Sequence, residues 1–140
     1  MAPRAEPLDL TTIWLFSACS AKELRLLRRS LEEVSVAPGT VLTAERSPGR
    51  EFFLIVEGTA SVTRAGKPVA MLGPDRYFGE LALLDRGSRS ATVRAETPMR
   101  MVVLGQREFN RVLDAVPTMT RKLLAVTATR LRESDARAYP

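Results

Sequence analysis

The stretch Gly73-Pro-Asp-Arg-Tyr-Phe-Gly-Glu-Leu-Ala-Leu-Leu-Asp-Arg-Gly-Ser-Arg-Ser-Ala-Thr-Val93 runs, in order, through a turn, a glycine, a short apolar helical turn, an arginine and the start of a strand. Gly79 lets the backbone approach a ligand closely. The five residues from Glu80 to Leu84 can close one helical turn, whose free amides and positive dipole end favour an anion. Arg89 then supplies a guanidinium that pairs with two phosphate oxygens at once, and Ser90 adds a hydroxyl or an amide. Glu80 is out of place beside a phosphate unless its carboxylate faces a hydroxyl donor, and a ribose supplies one. In the empty site the charges of Glu80 and Arg89 offset each other's desolvation. The segment therefore reads as a site for a sugar joined to a phosphate.

On both sides of this segment the chain has the texture of short strands. From Val34 to Leu104, brief apolar or alternating runs are separated by Pro38-Gly39, Pro48-Gly49, Gly58, Ala65-Gly66, Gly73-Pro74 and Thr97-Pro98, which predicts an all-β roll or barrel. The expected strands are Glu33 to Val36, Val41 to Ala44, Phe52 to Glu57, Thr59 to Arg64, Pro68 to Leu72, Ser90 to Ala95 and Arg100 to Leu104.

The flanks read as helical. Ser20-Ala-Lys-Glu23 has the form of a capping box, and Leu24, Leu27 and Leu31 recur behind it at helical spacing, placing the helix end near Leu31. Upstream, Ile13, Trp14, Leu15 and Phe16 form an apolar cluster suited to a short helix or turn that anchors on the domain. After Gly105, Phe109, Val112 and Leu113 mark a helix that breaks before Pro117, because proline disfavours α geometry in the residue ahead of it. A last helix follows from about Thr118, with Met119, Leu123, Val126 and Arg130 on one face.

The whole composition narrows the function. The 140 residues suit a single domain, with a helical N-terminus at about 10–32, a β-roll at about 33–105 and C-terminal helices at about 106–134. No apolar run approaches the roughly 20 residues of a membrane span, and Met1 to Pro7 leads into no signal-peptide hydrophobic region, so a cytoplasmic protein is expected. Histidine is absent, which removes imidazole acid–base chemistry, Ser-His-Asp triads and His-ligated metals. Cys19 is the only cysteine and suits burial rather than chemistry. Neither an enzyme nor a metal site is expected. The net charge of +5 fits an anionic partner. Lys22, Arg25, Arg28 and Arg29 read as the solvated face of an amphipathic helix, not as a nucleic-acid surface.

Phe78-Gly-Glu-Leu-Ala-Leu83 followed by Arg89-Ser-Ala-Thr92 resembles the phosphate-binding cassette of the cyclic nucleotide-binding domain family. The resemblance extends through Pro38-Gly39, the run Phe53-Leu-Ile-Val-Glu-Gly58 and the C-terminal helices, covering roughly Ile13 to Arg132. It implies an eight-stranded antiparallel β-roll, jelly-roll-like, with an N-terminal helix, a short cassette helix and two C-terminal helices. It also implies that amides of Leu81, Ala82 and Ser90 meet a cyclic phosphate, that Arg89 forms its ion pair, and that Glu80 with Gly79 holds the ribose 2′-hydroxyl. The last helix would act as a lid, with Arg130 where similar bacterial channel domains present a base-contacting arginine. Ser90 leans toward cAMP, since threonine there often accompanies cGMP preference, although its hydroxyl can also serve guanine. Two departures stand out: Arg46 occupies the place of a usual glycine, and Asp75-Arg76 replaces a common Gly-Asp pair.

The expectation is thus a free-standing sensor that binds a cyclic nucleotide, cAMP ahead of cGMP, with no cofactor. It would signal by lid-helix movement to an effector protein or a second copy of itself. Relatives that act as transcription factors carry a helix-turn-helix after the lid helix, whereas Pro140 lies only a few residues beyond it, so direct DNA reading is not expected. The rival readings are a ligand-independent scaffold with a degenerate pocket, a fragment of a regulated transcription factor or channel, and an enzyme on a similar barrel.

Overall fold

Two antiparallel four-stranded sheets pack face to face in the computed structural model, which describes residues 8–85 and 87–138. The segment Met1 to Pro7 and the terminal Pro140 lie outside the described residues. The strands are β1 (Glu32–Val36), β2 (Val41–Thr43), β3 (Glu51–Glu57), β4 (Ala60–Arg64), β5 (Lys67–Leu72), β6 (Tyr77–Phe78), β7 (Thr92–Ala95) and β8 (Met99–Gly105). One sheet has the order β1-β8-β3-β6 and the other β2-β7-β4-β5. Seven strands match the expected runs, with Ser90 and Ala91 preceding β7 rather than opening it. The eighth, β6, is only two residues long, too short to show any periodicity.

The alternation of side chains explains why β3 and β8 are apolar almost throughout. Phe53 and Ile55 of β3, with Met99, Met101 and Val103 of β8, face the space between the sheets. Their neighbours Phe52, Leu54, Val102 and Leu104 point the other way, into a second core built with the helices. A strand buried on both faces needs apolar residues at every position, not at every second one.

The helices are α1 (Ala21–Ser30), α2 (Glu80–Leu84), α3 (Gln106–Ala115) and α4 (Pro117–Ala138). The capping box at α1 is formed in both directions: Glu23 N–H donates to Ser20 Oγ at 3.2 Å, and Ser20 N–H donates to Glu23 Oε1 at 2.8 Å. Val116 leaves α geometry, with φ −126° and ψ 79°, and Pro117 opens α4, where a missing N–H costs nothing. Phe109 of α3 stacks on Phe52, their ring centroids 5.0 Å apart.

Ile13 to Phe16 divides between anchor and surface. Leu15 and Phe16 are buried in one short 3₁₀ turn, Trp14–Phe16, whereas Trp14 in the same turn is 44% exposed. Its peptide is held from both sides: Trp14 N–H donates to Asp75 Oδ1 at 3.1 Å, and Lys122 of α4 donates to the Trp14 carbonyl and, at 2.7 Å, to Ser17 Oγ. The Lys122 amine also lies 4.9 Å from the Trp14 ring centroid, a favourable cation–π placement. The N-terminal segment thus joins the loop before β6 to the last helix. No helix among the described residues is long and apolar enough to cross a membrane.

Candidate functional site

β6 delivers the chain to the site. Phe78 pairs with Phe53 in register, their rings stacked at 4.9 Å, which fixes where the following residue emerges. That residue is Gly79, with φ +93°, immediately before α2. A Cβ there would lie 2.6 Å from both Arg89 Nη1 and the Glu51 carbonyl oxygen. Glycine is required on both counts, by handedness and by room.

Arg89 is held before any ligand arrives. Its Nη1 donates to the Gly79 carbonyl at 2.9 Å and its Nη2 to the Glu51 carbonyl at 2.7 Å, and the residue is 7% exposed. Its backbone is fixed too, with Arg46 N–H donating to the Arg89 carbonyl and Arg89 N–H to the Ser47 carbonyl, both at 2.8 Å. Burial pulls the guanidinium pKa down, opposed by the charges of Glu51 and Glu80. Arginine stays charged under such a pull, so the site holds an oriented, partly desolvated cation.

Glu80 opens α2 and is 4% exposed. Burial raises its carboxyl pKa, while its own backbone amide, Arg130 and Arg89 act in the opposite direction. Arg130 Nη1 donates to Glu80 Oε1 at 3.1 Å, and its guanidinium carbon lies 5.7 Å from the Tyr77 ring centroid. The Tyr77 hydroxyl beside this pair is buried with no hydrogen-bond partner among the described residues.

All seven residues singled out in the sequence, Gly79, Glu80, Leu81, Ala82, Arg89, Ser90 and Arg130, line one cavity of about 400 Å³. The opposite wall comes from the second sheet and was not singled out: Val62 and Arg64 of β4, with Val69, Ala70 and Leu72 of β5. Val62 and Arg64 lie two apart, so strand alternation puts them on one face, but only the closed roll shows that this face meets α2. Tyr77 likewise gave no sequence signal beyond being aromatic. The cavity is polar at the Glu80–Arg89 end and mostly apolar along β4 and β5, the division a ligand with one charged group and one flat apolar part requires. Among the described residues, no cluster of acidic or thiol side chains is suited to a metal ion.

The sequence profile described as "cyclic nucleotide-binding domain" matches residues 33–115, more than half of the chain. The chain belongs to the cyclic nucleotide-binding domain family. Within that family, it is 34% identical to the cAMP-dependent protein kinase regulatory subunit of Pyricularia oryzae over 90% of its own length and 33% of the relative's. It is 41% identical to potassium/sodium hyperpolarization-activated cyclic nucleotide-gated channel 3 of Mus musculus, over 68% of this chain and 12% of the channel. Among solved structures, the Thermus thermophilus catabolite activator protein superposes with a TM-score of 0.80 at 27% identity, covering 89% of this chain and 61% of that one. The chain therefore spans a third or less of these two longer sequence relatives.

Proposed function

We propose that this cyclic nucleotide-binding domain is a sensor for cAMP whose occupancy is read through α4. The observation that carries the reading is the placement of buried Arg89 and buried Glu80 at one end of a cavity whose far wall is apolar. In this reading Arg89 and the amides of Leu81, Ala82 and Ser90 take the cyclic phosphate. Gly79 and Glu80 take the ribose 2′-hydroxyl, and Val62, Val69 and Leu72 take the purine face. The choice of cAMP is supported by Ser90 and by the name of the fungal relative, a cAMP-dependent regulatory subunit.

The coupling follows from the partner of Glu80. Arg130 already donates to this carboxylate, so a ribose hydroxyl arriving at Glu80 must share it or displace the arginine. Either way α4 experiences the ligand, through a contact of a lid helix with the sugar site and not only with the base. A partner that prefers one position of α4, whether an effector protein or a second copy of this chain, would in turn change the affinity for the nucleotide by the same factor.

Calorimetric titration with cAMP and cGMP tests the reading directly. Saturable cAMP binding is expected, and binding of neither nucleotide would overturn it. Arg89→Ala should weaken cAMP at least tenfold, because hydrogen bonds from a charged donor contribute about 1.5–3 kcal/mol each. A variant that keeps wild-type affinity would displace the phosphate from this end of the cavity.

A further inference from the structure

The base-facing wall contains one residue whose chemistry the site has not yet used. Along β4 the side chains of Ala60 and Val62 face the core between the sheets, and Arg64 stands at the next inward position, where the roll opens into the cavity. Of the residues that β4 and β5 give to the cavity, Val62, Arg64, Val69, Ala70 and Leu72, only Arg64 has a side chain that hydrogen-bonds.

Its orientation is set. Arg64 Nε donates to the Ser90 carbonyl at 3.1 Å, so the plane of the guanidinium is tied to the segment that follows Arg89. Nε is thereby used, while the terminal amino groups of Arg64 have no hydrogen-bond acceptor among the described residues. The backbone below is held as well, since the adjacent Ala65 N–H donates to the Glu45 carboxylate at 3.0 Å. The result is a fixed pair of donors at the rim of an apolar slot suited to a flat ring.

A guanidinium offers donors only. Guanine presents two neighbouring acceptors, O6 and N7, which match that fork, whereas adenine replaces O6 with an amino group that is itself a donor. We propose that Arg64 is a base-reading residue that admits guanine to this pocket, making cGMP a second ligand whose affinity depends on Arg64 more strongly than that of cAMP, since adenine keeps only the N7 acceptor. The inference rests on the cyclic nucleotide reading above and adds to it the residue that sets base choice. The cyclic phosphate has a single negative charge, already met by Arg89 and three amides in that reading, which leaves Arg64 for the base.

The test is a set of dissociation constants for cAMP, cGMP and cyclic inosine monophosphate, measured on wild type, Arg64→Ala and Arg64→Gln. Cyclic inosine monophosphate keeps O6 and N7 but lacks the guanine amino group. Arg64→Ala should weaken cGMP and cyclic inosine monophosphate together by about five- to tenfold, the lower part of the range for a bidentate arginine–guanine contact because Arg64 is exposed. cAMP should weaken by a clearly smaller factor, because it shares only the N7 contact and the loss of the Arg64–Ser90 bond. Arg64→Gln, which has a single donor group and an acceptor, should fall between the two for cGMP. Equal weakening of all three nucleotides would assign Arg64 to the phosphate or to holding Ser90, and would overturn the proposal. So would an unchanged set of constants. Failure of wild type to bind any of the three would instead overturn the cyclic nucleotide reading itself, and the proposal with it.

Discussion

Tyr77 has a hydroxyl that the fold buries without a partner among the described residues, and burial raises its pKa, with the Glu80 charge adding to the rise. A buried hydroxyl without a hydrogen bond costs about 1–3 kcal/mol. Tyr77→Phe should therefore stabilise the ligand-free protein by about 1 kcal/mol in urea melts, because the ring keeps its contact with Phe52 at 5.6 Å. A destabilised variant would show that the hydroxyl is satisfied in solution. Glu80 makes a related case with a pH signature. Its carboxyl pKa is raised above the ordinary 4.5, so in the window from there up to the folded value the native state keeps a proton that the unfolded chain has lost. Stability from this group accordingly falls as pH rises through that window. Glu80→Gln should remove the dependence, raise the melting temperature at neutral pH and weaken cAMP binding, since an amide oxygen is a poorer acceptor for a ribose hydroxyl than a carboxylate. Melts across the acidic range together with titration at neutral pH measure both effects.

The two loops that depart from the family pattern show how tertiary contacts override local preference. Arg46 and Asp75 have φ of 70° and 72°, in the left-handed region where glycine is at ease. The loops keep the backbone a glycine would give them, and other contacts hold it there. Arg46 N–H reaches the Arg89 carbonyl; Asp75 accepts from Trp14 N–H. Arg46→Gly should leave those backbone bonds intact and stabilise by about 0.5–1 kcal/mol, from relieved strain less the added chain entropy. Asp75→Gly relieves similar strain but removes an acceptor, so it should fall below Arg46→Gly by about 1 kcal/mol. Denaturant midpoints of the two variants provide the comparison. These loops also mark where the sequence ceased to be informative. The cassette could be read because its order of glycine, helical turn and arginine is local chemistry. The left-handed angles could not, because they depend on partners far along the chain. The strand β6 escaped for want of length. Spacing alone put Arg130 on one face with Met119, Leu123 and Val126, but its partner, Glu80, lies 50 residues away. Arg64 gave no signal, since a cation near a hairpin end reads as a solvated charge until the opposite wall is known.

The site and the helices are connected through few joints. β3 and β8 face the inter-sheet core on one side and the helices on the other, so the sheet that supports β6 also supports α3. Farther along, α4 is buried at Met119 and Leu123, tied to Trp14 by Lys122 and to Glu80 by Arg130. From Leu124 to Asp135 its side chains are mostly exposed, with Leu124 and Leu131 at 64% and 62%. Few buried contacts mean low local stability. Amide exchange should therefore be fast from about Leu124 onward and slow near Met119 in the free protein. Saturating cAMP should change protection chiefly in the outer half. Uniform protection along α4 in both states would remove its role as the moving part.

Arg89, Gly79 and Gly49 have a consequence for descent. A Cβ at Gly49 would collide with Ala82 and come within 3.0 Å of the Arg89 guanidinium, and one at Gly79 would come within 2.6 Å of Arg89 Nη1. The dependence runs in one direction only. The arginine can be lost without disturbing either glycine, but neither glycine can be lost while the arginine stays. A lineage under pressure to keep the arginine therefore keeps all three, and one released from that pressure loses position 89 first. Loss of the arginine still leaves both glycines constrained, Gly79 by its left-handed backbone and the Glu51 carbonyl and Gly49 by Ala82, so descendants that have lost position 89 should keep both glycines as a trace of the site.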